Sequence, residues 1–291
     1  MAYAVGNKPY LIDIHVHGAE KYDTHTRRQD DILQVAGIHG QRGTSALLPT
    51  IYPGSLEVMR ENMAAVRRAM SAQREGATIL GVNLEGPFLN PERAGALDKN
   101  SFMDPSVEAF TRLVEDFEDI IKIITIAPEL PTALRLIELS RKKGFLVHMG
   151  HSDASFDQAE EGKRAGATGI THLFNAMRGF HHREPGLAGF GIMDEDVYVE
   201  IIADMAHLHQ QSLKMIFDMK SLDKILLISD SVMGAGWGSG PIRGAGGVLL
   251  GSGIPLADAV NNLTMMGIPQ EWAVKFASEN PMKYLGMTTA S

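Results

Sequence analysis

Apolar and polar positions along the chain fall into two alternating patterns. Short runs dense in β-branched residues, at 11–18 (LIDIHVHG), 44–51, 78–86, 120–129, 145–152, 169–175, 197–204 and 225–231, read as strands. Between most of them the apolar residues step by three and four instead. Leu56, Met59, Met63, Val66 and Met70 make one helical stripe, which accounts for part of an unusually large methionine count. Asp104-Pro105 predicts a helix start with Val107, Phe110, Leu113, Val114 and Phe117 on its apolar face. Ser155 with Gln158 predicts a capping box, for a helix that stops at Gly166. Strands buried on both faces and alternating with helices mean a parallel sheet. Eight such units in 291 residues predict a (β/α)8 TIM barrel rather than an open sheet, where a Gly-rich dinucleotide turn would follow the first strand. No repeat, low-complexity tract or linker breaks the chain, so residues 1–291 are expected to form a single barrel domain.

Composition narrows the chemistry. There is no cysteine, which excludes disulfides, thiolate catalysis and Cys-ligated zinc, so any metal must be held by His, Asp and Glu. A net charge of −8 argues against nucleic acid as a partner, although local cations can still hold an anionic substrate. No apolar stretch has the length of a membrane span, and the N-terminus lacks a basic segment followed by an apolar one. A cytoplasmic protein without a membrane partner is the expectation.

The polar residues cluster at the C-terminal ends of the predicted strands, the face of a barrel where catalytic groups collect. Strand 1 ends in His15 and His17, two apart and so aimed to one side. Strand 3 offers Glu85, strand 5 His148 and His151, strand 6 His172, strand 7 Asp204 and then His207, and strand 8 Asp230. Histidines recurring on several strands beside carboxylates, with no cysteine available, point to a divalent metal site. Imidazole and carboxylate donors suit zinc first, and iron, cobalt or manganese also. Such a metal lowers the pKa of bound water towards about 7. Asp230 is placed to take the water proton and return it to a leaving amine, which is what amide hydrolysis needs.

These residues resemble the amidohydrolase superfamily. The segments LEGPFLNPERAGA, GHSDAS, THLFNAM, HHREPGLAG, EIIADMAHLH and LISDS are similar, within it, to the N-acetylglucosamine-6-phosphate deacetylase family, and the likeness covers nearly the whole chain. The resemblance implies metal-dependent removal of the acetyl group from N-acetylglucosamine 6-phosphate. It implies Glu85, His151 and His172 as primary metal ligands, with Asp230 as general base and acid. Arg183, His207 and the backbone N–H groups of Asn175 and Ala176 would bind the sugar phosphate. It also implies a homodimer, because a phosphate-binding residue reaches across from the second subunit. With His15 and His17 both present, one or two metals per subunit remain open.

Three departures from the family pattern leave two other readings: a deacetylase of another N-acetyl hexosamine phosphate, such as N-acetylgalactosamine 6-phosphate, or a catalytically idle sugar-phosphate- or metal-binding relative. The family's small β-sandwich is missing, and Leu97 stands where the family has a carbonyl-polarising histidine. The Gly-rich segment after strand 8 is shortened, and reads as a mobile loop over the site or the remnant of a hairpin. His25, His39, His181 and His209 are expected at the surface or behind the ligands. His182 flanks Arg183 and is a candidate for substrate contact, and Trp237 lies in the Gly-rich loop. His148, three residues before His151 on one strand, is expected to face the opposite side and to pack. ERAG (92–95) and RRQDD (27–31) read as solvated charges.

Overall fold

In a computed structural model, residues 4–5, 8–236 and 240–287 are described; Trp237 lies outside them. Among the described residues eight parallel strands form the barrel: β1 (Leu11–Val16), β2 (Thr44–Ile51), β3 (Val82–Leu84), β4 (Ile121–Ile126), β5 (Leu146–Met149), β6 (Gly169–Ile170), β7 (Tyr198–Ile202) and β8 (Ile225–Ile228). Each pairs with its sequence neighbour, and β8 returns to β1. The seam is closed by backbone bonds in which Asp230 N–H donates to His15 O (3.1 Å) and His17 N–H to Ser231 O (2.8 Å).

Most strands are shorter than the apolar runs, which continue into buried loops; Thr44–Ile51 keeps its full length. The third run is also split. Thr78–Ile79 pairs with β2 ahead of β3, and the break falls at Gly81, at φ +149°. A Cβ at Gly81 would lie 2.3 Å from Ile120 O, so this bend demands glycine.

Helices cover the outside: α1 (Gln29–Gln41), α2 (Leu56–Ala72), α3 (Val107–Val114), α4 (Ala133–Lys142), α5 (Phe156–Ala165), α6 (Gly186–Met193), α7 (Gln210–Met219) and α8 (Leu256–Met265). Two short ones, α9 (Gln270–Phe276) and α10 (Glu279–Tyr284), end the described chain. The stripe on α2 is buried as the spacing predicts, with Met59, Met63 and Val66 fully enclosed. The capping box on α5 forms with both of its bonds. The start of α3 differs: the cap is Ser106, two residues past Asp104, and its Oγ accepts from Ala109 N–H (3.1 Å).

The core has two layers. The outer one lies between helices and sheet. The inner one fills the barrel with Ile12, Ile14, Leu48, Ile123, Ile202, Leu226 and Ile228, and Met282 and Tyr284 from the α10 helix pack against it. No β-sandwich accompanies the barrel among the described residues; the flanking pairings are two-stranded ladders.

Candidate metal centre and active site

Ile12 and Ile14 belong to the inner layer, yet His15 also meets interior groups. The alternation breaks where the β1–β2 register is irregular, between Asp13 and Val16. Irregularities of this kind re-aim side chains beside active sites. His15 and His17 then follow the two-residue rule and converge, with their Nε2 atoms 3.1 Å apart.

Glu85 stands at the centre of the cluster. Its Oε1 lies 3.1 Å from His151 Nε2, 3.0 Å from His172 Nε2 and 3.6 Å from His15 Nε2, and its Oε2 lies 3.3 Å from His17 Nε2. Asp230 Oδ1 faces His15 and His17 at 3.6 and 3.5 Å. Residues at or just past the ends of β1, β3, β5, β6 and β8 thus meet within one buried cluster. Two sets of donors are compact enough to hold a cation: Glu85 with His151 and His172, and His15 with His17 and Asp230. Three of these residues sit on left-handed backbone, His151 at φ 45°, His172 at 29° and Asp230 at 51°. Non-glycine residues adopt that region at a cost and gather there at functional sites.

The far side of the ligands is organised to keep them there. His151 Nδ1 lies 2.9 Å from the carbonyl of Arg93, so a proton on Nδ1 leaves Nε2 as the inward acceptor. Asn90 N–H donates to His151 O (2.9 Å), and Glu129 accepts from Ser152 Oγ (2.7 Å), Asp153 N–H and Asn90 Nδ2 (2.8 Å). The loops after β3 and β4 therefore brace the loop that carries His151. ERAG is accordingly more than solvated charge: Arg93 supplies that carbonyl and an ion pair to Asp153. His151 itself lies beyond β5, on the kinked backbone, so the strand rule relating it to His148 does not apply. His148 is fully buried and points into the barrel.

Burial pushes the Glu85 carboxyl up, but hydrogen bonds from His15, His151, His17 and His172 outweigh it and hold it well below the carboxylate range. Burial lowers His15, yet the charge and hydrogen bond of Glu200, with Glu85 behind them, raise it well above the ordinary histidine value. His17 is raised too: burial opposes this and Glu85 outweighs it. Two imidazole nitrogens 3.1 Å apart, turned towards two carboxylates, need protons or a cation between them. The donor set fits a divalent cation: five buried imidazole or carboxylate side chains, with Asp230 nearly as enclosed, and no competing lysine or arginine among them.

A cavity of about 990 Å³ opens over the cluster. Asn175, Ala176 and His207 line it, as does Leu97. His207 Nδ1 lies 2.8 Å from Asp204 Oδ2, so Asp204 orients that ring. Burial lowers His207, but its hydrogen bond to Asp204 and the fields of Asp230 and Asp204 outweigh it and raise its pKa, with Arg243 opposing. Arg183 is not brought to this cavity: it is exposed, with Nη1 2.9 Å from His182 Nε2, and His182 is exposed beside it. His181 and His209 are exposed as well, His209 as the N-cap of α7. His39 is not at the surface. It is fully buried, within 3.1 Å of Ser231 Oγ, and burial lowers its pKa to about 4.

Sequence reasoning missed several contributors. The half-buried His25 forms part of the cavity wall, its ring 4.4 Å from that of Tyr52, which in turn meets His17 edge-on. The segment after β8 is a hairpin, Ile242–Arg243 against Leu249–Gly251, and it brings Arg243 into the cavity lining. Glu200 lies fully buried behind His15. Its signal was a lone Glu inside the apolar run VYVEIIAD.

The Amidohydrolase family model matches residues 8–290. The chain belongs to the amidohydrolase family. It is 31% identical over 296 residues to an N-acetylglucosamine-6-phosphate deacetylase from Lysinibacillus sphaericus, covering 96% of this chain and 76% of the relative. It is 29% identical, over 96% of this chain and 78% of the relative, to an N-acetylgalactosamine-6-phosphate deacetylase from Escherichia coli O157:H7. Among solved structures, an N-acetyl-D-glucosamine-6-phosphate deacetylase from Mycobacterium smegmatis, in complex with N-acetyl-D-glucosamine-6-phosphate, superposes with a TM-score of 0.90 at 28% identity, covering 96% of this chain and 78% of that one. The barrel class read from the sequence is borne out.

Proposed function

We propose that this protein removes the acetyl group from N-acetylglucosamine 6-phosphate, converting it with water to acetate and glucosamine 6-phosphate, and that residues 1–291 act as one catalytic unit. The observation that carries this reading is the meeting of Glu85, His151, His172 and Asp230 at the floor of a cavity that His207 also lines. Glu85, His151 and His172 would hold a divalent cation, and His15, His17 and Asp230 a second; bound there, it supplies an activated water and a polarised amide carbonyl. Zinc is the first choice for these donors.

Asp230 accepts the proton of the attacking water on its carboxylate and delivers it to the amide nitrogen, so that the amine can leave. At the far end of the substrate, His207 is steadied by Asp204 and presents its other nitrogen to the phosphate. The backbone N–H groups of Asn175 and Ala176 add donors at the same wall. Arg183 stands outside its own cavity, which suits a residue that serves the partner's site in a homodimer; its guanidinium matches phosphate geometry. A cytoplasmic location suits a phosphorylated sugar. The complete set of ligating residues together with Asp230 stands against an idle binding role.

The test is acetate release by zinc-loaded protein from N-acetylglucosamine 6-phosphate, its unphosphorylated form and N-acetylgalactosamine 6-phosphate. The reading predicts the first to be turned over fastest. Equal rates with and without phosphate overturn the phosphate assignment, and faster release from the galactosamine compound overturns the choice of sugar.

A further inference from the structure

Behind the cluster, on the side away from the cavity, a carboxylate sits in the barrel interior, on a strand where its neighbours in sequence are apolar. Glu200 lies mid-way along β7, with no exposure to solvent, between Val199 and Ile201 in sequence. Its Oε2 is 3.1 Å from His15 Nδ1 and also accepts from the backbone N–H of His172 at 3.1 Å. One oxygen therefore takes donors from two residues of the cluster, on β1 and β6. The other oxygen, Oε1, faces His148 Nδ1 on β5 at 3.3 Å, close enough for attraction though not aligned as a hydrogen bond.

The slot for that histidine is built into the barrel. A Cβ on Gly169 of β6 would fall 2.5 Å from the His148 ring, so only glycine leaves room for it. Packing alone does not account for the group. An ionised carboxylate taken out of water loses several kcal/mol of solvation, and an apolar side chain of similar volume is often neutral or stabilising in such a place. The geometry does account for it: with Nδ1 of His15 turned to Glu200, its Nε2 faces His17 and Asp230.

We propose that Glu200 is a positioning residue for the His15–His17–Asp230 half of the centre. It holds His15 with its proton on Nδ1 and its Nε2 lone pair aimed at a divalent cation, and through His172 N–H it ties that half to the other. The proposal rests on the reading above that the cluster binds such cations. Carboxylates placed this way behind a ligating imidazole fix its tautomer and ring orientation, and their loss typically weakens metal binding about 10- to 100-fold.

The experiment uses the full chain, stripped of metal and titrated with Zn²⁺ against a chromogenic chelator, as wild type, Glu200→Leu and Glu200→Gln. The wild type is expected to bind two equivalents. Glu200→Leu should weaken one class of site about 10- to 100-fold and the other, reached only through the His172 N–H, much less, whereas Glu200→Gln, which keeps an acceptor oxygen, should recover most of the loss. Unchanged affinity at both sites in Glu200→Leu overturns the proposal, as does a single equivalent in the wild type. Equal weakening of both sites together with a lowered melting temperature of the metal-free protein means a merely structural residue, and overturns it too. If Glu200→Leu does not fold, ¹⁵N-histidine spectra of the zinc-loaded wild type decide instead: a proton on Nδ1 of His15 supports the assignment and one on Nε2 refutes it. Failure of the deacetylase reading itself is seen separately, as wild type that binds Zn²⁺ but releases no acetate.

Discussion

Asp230 occupies a left-handed backbone position at the end of β8, within 3.6 Å of both strand-1 histidines. Replacing it with Asn preserves shape and removes the proton acceptor. The expected result is a fall in kcat of about 10²–10⁴-fold with Zn²⁺ retained at Glu85, His151 and His172, measured by acetate release and elemental analysis. A variant that keeps full kcat would remove Asp230 from the chemistry. His207 offers a pH test. Its pKa is raised above the usual histidine value, so the ring remains cationic to a higher pH and loses its charge as pH climbs through that raised value. KM for the phosphorylated sugar should rise over that interval while kcat stays level, and Asp204→Asn should move the rise to lower pH. A KM that ignores pH, or a shift in the other direction, would contradict the role given to the pair. The ligands were legible in the sequence because each ends an apolar run. The Arg93 carbonyl was not, since a contact made by backbone leaves no trace in the side-chain pattern, and the lone Glu200 in VYVEIIAD marks a buried charge without naming its partner on a distant strand.

At the scale of elements, the prediction worked where local chemistry decides the outcome. Ser155 and Gln158 form their box because both partners lie within one turn. Ser155→Ala should lower stability by about 1 kcal/mol in a denaturant titration and leave kcat unchanged. Strand ends were overestimated because the apolar runs continue into buried loops, and GITHLFN keeps only Gly169 and Ile170 as strand. The glycine-rich segment after β8 was half read: its shortness is visible, but pairing of Ile242–Arg243 with Leu249–Gly251 depends on contacts that composition does not encode. This hairpin places a cation, Arg243, in the lining of the cavity proposed to receive the phosphorylated substrate. Arg243→Gln should raise KM about tenfold, the size of one charge-assisted hydrogen bond, with the difference shrinking at high salt. No change in KM would detach the hairpin from substrate binding.

For the molecule as a whole, the barrel was readable from eight alternating units, while the closing seam and the polar groups buried behind it were not. His39 belongs to that hidden set: fully enclosed beside Ser231, it stays neutral in the fold down to about pH 4. The unfolded chain takes up the proton near pH 6.5. Because the folded value is depressed, His39's contribution is complete above about 6.5 and is lost as pH falls from there towards 4. The difference in unfolding free energy between wild type and His39→Gln should therefore narrow by about 3 kcal/mol across that range. A difference independent of pH would contradict it.

The whole account depends on side chains from five strands gathering around a divalent cation. An anomalous-difference map of the zinc-loaded crystal tests this directly. The account predicts a peak about 2.0–2.2 Å from a Glu85 oxygen and the Nε2 atoms of His151 and His172. An empty map there, with the three side chains turned away from one another, would contradict it.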